Sequence, residues 1–251
     1  MTEAEARQRL DTYYADTLGH APQALSQPGI NLAPLIEQHA FSSLFKNSIL
    51  VIHAPSIAGN ERSCVALAHP RLLEPLRRFL AGLSVEQLFE TLTLERLTRL
   101  VCFEFPHASI SPGGPLVIAR FVTPAMFRPF RGPEHASIER LDEHNLFNLA
   151  LLSRYSGGIY ALRDEQGQIL SRAGIRYESE DVWEIGVRTE VEALRGHGLA
   201  KTVVTAATEA ILVAGRVPLY VHNATNVASE KVALALGYQH YADELLWFQS
   251  E

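Results

Sequence analysis

Glu184-Ile185-Gly186-Val187-Arg188-Thr189, followed after a short connection by Arg195-Gly196-His197-Gly198-Leu199-Ala200, is the stretch on which the fold turns. The first run reads as the end of a strand over Asp181–Thr189. Strand alternation puts Glu184, Gly186 and Arg188 on one face and Trp183, Ile185 and Val187 on the other. The second run opens a helix expected from about Gly198 to Ala214, closed by Gly215 at a C-cap position. A glycine-rich turn between a strand and a helix N-terminus suits a phosphate. Glycine admits positive φ and close backbone approach. The first N–H groups of the helix have no internal partner, and the helix dipole adds to their pull on an anion.

Upstream, Gly158–Arg163 and Gln168–Tyr177 read as strands joined by the hairpin turn Asp164-Glu165-Gln166-Gly167, and Glu178–Asp181 turns the chain again. Downstream, Val217–His222 reads as a strand, Val227–Leu236 as a short helix closed by Gly237, and Tyr241–Phe248 as a last strand. Leu116–Val122 is a further apolar strand, Pro129–Glu134 a loop, and Glu139–Leu152 a helix carrying Leu141, Leu146, Leu149 and Leu152. The order β-α-β-β-β-α-β-α-β predicts an α/β fold with a mixed sheet.

Ser111-Pro112-Gly113-Gly114-Pro115 is the strongest break. It divides the chain into 1–112 and 113–251. The first region reads as mixed and mainly helical. An amphipathic helix over 2–18 carries Leu10, Tyr13, Tyr14 and Leu18 at helical spacing. A turn-rich loop runs from Gly19 to Pro34, and helices are expected over 35–46, 70–81 and 84–99. Ser84-Val85-Glu86-Gln87 has the pattern of a capping box. Ser48–His53 and Val101–Phe105 read as strands.

Taken alone, Gly196-x-Gly198 fits a plain tight turn as well as a phosphate nest. A P-loop is excluded because the first glycine is misplaced relative to Lys201-Thr202. A dinucleotide fingerprint lacks its third glycine, since Lys201 stands there. Three motifs in order decide the matter. Arg195 to Ala200 fit Arg/Gln-x-x-Gly-x-Gly/Ala, the acetyl-CoA pyrophosphate signature of the GNAT superfamily. Asn226-Val227-Ala228-Ser229 and then Leu236-Gly237-Tyr238 resemble that family's next motif, a short helix opened by Asn and ended by Leu-Gly-Phe/Tyr. Glu184-Ile185-Gly186-Val187-x-Thr189 resembles the strand beside which the pantetheine arm lies. The resemblance covers about residues 115–250 and leaves the N-terminal half uncovered.

The resemblance implies a GNAT-like acyl-CoA-binding fold. It implies an N-acetyltransferase that moves an acetyl group from acetyl-CoA, its co-substrate, to an amine by direct transfer in a ternary complex. Backbone groups of Val187, Arg188 and Thr189 would pair with the pantetheine, one N–H polarising the thioester carbonyl. Arg195, Gly196, His197, Gly198, Leu199 and Ala200 would hold the pyrophosphate, with Arg195 and Lys201 either adding charge or simply solvated. Asn226 is a helix cap and, by the resemblance, a ligand of the cofactor arm; Ser229 one turn on, and less so Asn223, are of the same kind. A lysine-type amine, with a reference pKa of about 10.4, must lose a proton before it attacks. Glu184 lies where several of these enzymes carry a basic glutamate; the alternative is a cross-sheet ion pair with Arg188 or Arg172. The family's usual proton-donating Tyr aligns with Ala233, and Tyr238 and Tyr241 come later, so no general acid is assigned. That gap keeps open a catalytically silent acyl-CoA-binding or sensing module. Residues 1–140 would supply the acceptor side, or be a decayed copy of the same fold.

Composition sets the limits. The 251 residues are 47% hydrophobic and 20% charged, which suits a packed core, and the net charge of -6 argues against a nucleic-acid binder. It is compatible with a cationic amine acceptor, small-molecule or peptide. No stretch approaches the roughly 20 apolar residues of a membrane span, and the polar start Met1-Thr2-Glu3-Ala4-Glu5 has no signal core. A cytoplasmic enzyme with no membrane partner is expected; a homodimer is open to it. Cys64 and Cys102 sit in apolar runs and read as buried free thiols. The ten histidines show no metal-ligand spacing, so no metal is expected, and no Gly-x-Ser-x-Gly elbow occurs. Phe121, Phe127, Phe130, Arg128 and Arg131 read as a core edge or the mouth of a substrate or coenzyme site.

Overall fold

The computed structural model describes residues 1–19, 25, 27–35, 47–56, 62–110, 114–132, 137–141 and 154–249. They form two compact units. The N-terminal unit is Asp11–Ala119 with Asn223–Thr225 and His240–Glu251; the C-terminal unit is Met1–Leu10, Arg120–His222 and Asn226–Gln239. The division along the chain falls between Ala119 and Arg120, and the two chain ends are exchanged.

The first helix, α1 (Glu3–Leu18), runs through the division after Leu10 and buries Leu10, Tyr13, Tyr14 and Leu18, as their spacing predicts. In the N-terminal unit β1 (Gly29–Pro34) pairs in parallel with β3 (Ser63–Ala68). β3 pairs antiparallel with β2 (Ser48–Pro55). β2 is buried along its whole length, which explains why Ser-Ile-Leu-Val-Ile-His carries no polar alternation. A 3-10 turn at Pro70–Leu72 leads into α2 (Leu73–Leu80), followed by α3 (Val85–Leu88) and α4 (Thr91–Glu104). The capping box forms: Ser84 N–H donates to Gln87 Oε1 at 2.8 Å, and Gln87 N–H to Ser84 Oγ at 3.3 Å. Leu50, Ile52, Leu76, Leu88, Leu97 and Val101 build the core of this unit.

Three expectations for this half are corrected. Val101–Phe105 is not a strand but the end of α4. Its helical period buries Leu97 and Val101 and turns the following Cys102 outward, so that thiol is exposed. Cys64 is buried as expected, and burial pushes its thiol up to about 12. The loop Gly19–Pro34 contains β1, because pairing with β3 overrides the turn character of Gly29, Asn31 and Pro34. β3, Ser-Cys-Val-Ala-Leu-Ala, was not expected; its small residues make a strand because both its faces are covered. Among the described residues of this half helix still outweighs strand. The helix expected over 35–46 lies outside the described residues beyond Leu35, as does Ser111–Gly113.

β4 (Ala108–Ser109) is short, and β5 (Leu116–Phe121) passes through the division. In the C-terminal unit β6 (Ser137–Leu141), β7 (Ile159–Arg163), β8 (Ile169–Tyr177) and β9 (Val182–Thr189) pair antiparallel in succession. The turn between β7 and β8 is locked by Asp164, whose Oδ1 accepts from Gln166 N–H and Gln168 N–H, with Gly167 at φ +82. β10 (Val217–Asn223) then runs parallel to β9, and α5 (Leu199–Val213) is the crossover between them. Its face Leu199, Val203, Val204, Ala207 and Ile211 shares a core with Ala173, Ile175 and Ile185. α6 (Val227–Ala235) follows, and β11 (Gln239–Gln249) returns the chain to the N-terminal unit, antiparallel to β2 from Ala242↔Pro55 to Phe248↔Ser48. The helix expected over Glu139–Leu152 begins instead as β6, since Glu139 to Leu141 pair with β7 and Leu141 buries against Ile159 and Ala161. The remainder of that span is outside the described residues.

Candidate active site

β9 and β10 pair from Val182↔Val217 to Ile185↔Tyr220, and the ladder stops there although β9 continues to Thr189 and β10 to Asn223. The backbone of Gly186–Thr189 is therefore free of its parallel neighbour on that side. Trp183, Ile185 and Val187 turn to the α5 core and Glu184, Gly186 and Arg188 to the other face, as the alternation predicts.

After β9 the chain makes a 3-10 turn at Glu192–Leu194 and enters the glycine loop. Gly196 has φ +86 and Gly198 φ +85, so both need the left-handed conformation that glycine adopts at no steric cost. A Cβ at Gly198 would stand 3.0 Å from the Phe130 ring. Thr202 N–H makes the first bond of α5, to the Gly198 carbonyl. No side chain caps the helix, so the N–H groups of Leu199, Ala200 and Lys201 remain available to a ligand.

These elements surround a cleft of about 490 Å³. Val187, Arg188, Thr189, Arg195, Gly196, Gly198, Leu199, Ala200, Asn226 and Ser229, all expected, line it. His197 does not; its ring is exposed, with Nδ1 3.1 Å from the Arg195 carbonyl oxygen. Leu194, Lys201, Ala228, Lys231 and Val232 line it too. Of these, Lys201 and, within the Asn226 motif, Ala228 stand out in the sequence. Ala228, Lys231 and Val232 were readable from helical spacing, lying three and four residues apart on α6.

The cleft is cationic. Arg195 Nη1 lies 2.9 Å from Glu192 and Arg188 Nε 3.2 Å from Glu190, with side chains 63% and 71% exposed. Exposed pairs of this kind are weak, so both guanidinium groups can turn to an anion. Lys201 Nζ sits 4.3 Å over the Phe130 ring. Asn226 caps α6, its Oδ1 accepting from Ser229 N–H at 3.1 Å. Glu230 of the same helix accepts from Arg120, which also reaches His222 at 3.1 Å, anchoring α6 to its unit.

Glu184 lies apart from the cleft lining and is 5% exposed. Its partner is neither Arg172 nor Arg188, which both hold Glu190, but Arg176 directly across the ladder, with Nη2 2.5 Å from Glu184 Oε1. Glu178 lies 3.4 Å from the same guanidinium. Burial pushes the Glu184 carboxyl up to about 7; Arg176 opposes the rise and Glu178 adds to it. At Gly186 and Gly174, paired across the ladder, the Tyr155 ring occupies the space of a missing side chain. Ala233 is fully buried in the core. Tyr238 gives its hydroxyl to Thr208 at 2.8 Å, and Tyr241 its own to Asp11 at 2.7 Å. Tyr220 reaches Ser229 at 2.8 Å.

Residues 176–248 match the family model described as FR47-like protein. The FR47-like segment takes in β9, the glycine loop, α5, β10 and α6, and so every residue that lines the cleft. The matched segment is also the part of the chain that carries the three ordered motifs. Comparison with curated proteins finds no match. Among solved structures, the chain is similar to a putative acetyltransferase of the GNAT family from Novosphingobium aromaticivorans, with 21% identity over 58% of this chain and 69% of that one, at a TM-score of 0.45. It is also similar to a GCN5-related N-acetyltransferase-like protein from Streptococcus suis, with 16% identity over 98% and 100% of the two chains and a TM-score of 0.46. An acetyltransferase of the GNAT family from Colwellia psychrerythraea gives 13%, 99%, 97% and 0.48. Among the described residues no group of His, Cys, Asp or Glu is arranged to hold a metal ion, and no helix is long and apolar enough to cross a membrane.

Proposed function

We propose that the chain is an acyltransferase that carries the acetyl group of acetyl-CoA to an amine. The observation that carries this reading is the meeting, in one cleft, of the uncapped α5 N-terminus with the free edge of β9. The residues suit coenzyme A. Backbone N–H groups of Leu199 to Lys201, with Arg195 and Lys201 beside them, form a nest for a pyrophosphate. The edge of Val187–Thr189 accepts an extended pantetheine arm as an added strand. Acetyl-CoA supplies the thioester; the chain binds it, orients it and excludes water from it.

On this reading Glu184 is the base, acting through water, since its carboxyl lies apart from the cleft lining and is held by Arg176. A carboxyl with its pKa at about 7 is half ionised near neutral pH and matched to taking a proton from an ammonium acceptor. On this reading turnover rises with pH through about 7, and Glu184→Gln removes that rise.

The same ion pair supports a second reading. Glu184 held by Arg176 and a buried Ala233 are what a silent acyl-CoA-binding module would show. The test is thiol release from acetyl-CoA with a polyamine, an aminoglycoside and a lysine peptide as acceptors. Turnover with any one supports transfer. Binding of acetyl-CoA without turnover for a wide panel selects the silent module, and absence of binding removes both.

A further inference from the structure

We infer that Ser229, backed by Tyr220, is the hydroxyl that receives the departing thiolate, in place of the tyrosine that α6 lacks. The inference rests on the acyl-transfer reading above and adds two residues with distinct roles. Ser229 is the catalytic residue and Tyr220 a positioning residue that acts through it.

Three observations converge. Ser229 lines the cleft one helical turn before Ala233, so the two share a face of α6. Ala233 is fully buried, which removes that position from the cleft chemistry. Tyr220 stands at the last rung of the β9–β10 ladder, opposite Ile185, where the free edge of β9 begins. Its ring is buried beside Tyr238, with centroids 5.5 Å apart, and its hydroxyl meets Ser229 Oγ at 2.8 Å. A phenol from β10 thus reaches the cleft through a serine of α6.

The direction of the pair is part of the inference and rests on the greater acidity of a phenol than of an aliphatic alcohol. Burial raises the Tyr220 pKa, against the opposing bond from Ser229. With the phenol, the stronger acid of the two hydroxyls, donating to Ser229 Oγ, the Ser229 proton is free to point into the cleft. Hydrogen bonds in a chain polarise one another, so Tyr220 strengthens Ser229 as a donor. In the transfer step the amine nitrogen bonds to the acyl carbon and the carbon–sulfur bond breaks. Sulfur leaves with the electron pair and takes the Ser229 hydrogen bond. The proton lost by the amine returns to sulfur through solvent, so neither hydroxyl is consumed.

The test uses Ser229→Ala and Tyr220→Phe in the full chain. Both keep the fold: the α6 cap uses the Ser229 N–H, and phenylalanine keeps the ring in place. Free CoA is the probe, and desulfo-CoA the baseline for protein absorbance. The ultraviolet thiolate band gives the ionisation of the bound thiol against pH. Arg195, Lys201 and Lys231 in the cleft, and His222 and Glu230 behind it, are common to all variants and cancel. The bound thiol should need a higher pH to ionise in both variants, with the thiolate-to-thiol ratio at fixed pH falling about tenfold in Ser229→Ala and about threefold in Tyr220→Phe. With the best acceptor, kcat should fall in step. Adding Tyr220→Phe to Ser229→Ala should cost nothing more. An unchanged ionisation curve in Ser229→Ala, or a full Tyr220→Phe effect in the Ser229→Ala background, overturns the inference. Either result leaves acyl transfer standing if the wild type turns over, whereas a wild type that binds no CoA removes the acyl-CoA reading itself.

Discussion

The N-terminal unit holds an enclosed polar pair, whereas the C-terminal unit, besides its own pair of Arg176 with the buried Glu184, leaves donors open at a cleft. His53 and Glu244 are completely buried, 3.0 Å apart, with the Tyr14 ring stacked on His53 at 4.1 Å. His53 Nε2, Glu244 Oε2 and the Tyr14 hydroxyl are buried without hydrogen-bond partners. In the C-terminal unit the uncommitted donors, from Leu199, Ala200 and Lys201, face a cleft. An enclosed polar pair costs desolvation that its mutual hydrogen bond has to offset. Donors left open at a cleft are a binding feature. On the proposed function, ligand chemistry falls to the C-terminal unit, and that reading can be broken from either side.

The largest effect is expected in the N-terminal unit. Glu244→Ala leaves His53 buried without its partner and should lower stability by about 3–5 kcal/mol, read by denaturant unfolding, with CoA affinity unchanged in the folded fraction. A loss of affinity in the folded protein would blur the comparison. Next is Gly198→Trp. It puts a side chain at φ +85 and against Phe130, costing about 1–2 kcal/mol of stability while weakening CoA binding at least about 100-fold, some 2.7 kcal/mol. Titration calorimetry and a thermal melt on one sample separate the two effects. Arg195→Ala should weaken CoA binding about 3–10-fold, less so at high salt, because its charge sits at an exposed rim.

A further effect concerns pH. The Glu184 carboxyl titrates at about 7 when folded, above the usual carboxylate range. The unfolded chain therefore releases this proton first as pH rises, and the Glu184 contribution to stability falls between the ordinary carboxylate pKa and about 7. Glu184→Gln lacks that loss. Its stability relative to wild type should improve on going from pH 5 to pH 8, and an unchanged difference would show that burial does not control this carboxyl.

The same contrast explains what the sequence could tell. The cleft is built from backbone features that require particular residues: glycine at Gly196 and Gly198, and an asparagine cap at Asn226. Local chemistry of this kind is written locally, and Gly237 is a further case, since a Cβ there would fall 2.1 Å from the Met126 carbonyl oxygen. Pairings between distant segments are not. β1 and β3 are strands because they meet each other, and nothing in Gly-Ile-Asn-Leu-Ala-Pro says so. The partner of Glu184 was missed for the same reason. The choice of Arg176 over Arg172 and Arg188 depends on the β8–β9 register, which composition does not encode. Ser229 was legible as a cleft residue from its motif, whereas Tyr220 was hidden, because only the packing of α6 on β10 brings its hydroxyl to that serine.

Hydrogen–deuterium exchange with and without CoA tests the division of labour most directly. Binding should slow exchange in peptides covering Val187–Lys201 and Asn226–Val232 and leave Ile49–Ala54 of β2 unchanged. Protection that spares the first turn of α5, or that appears chiefly in the N-terminal unit, would contradict the placement of the coenzyme site.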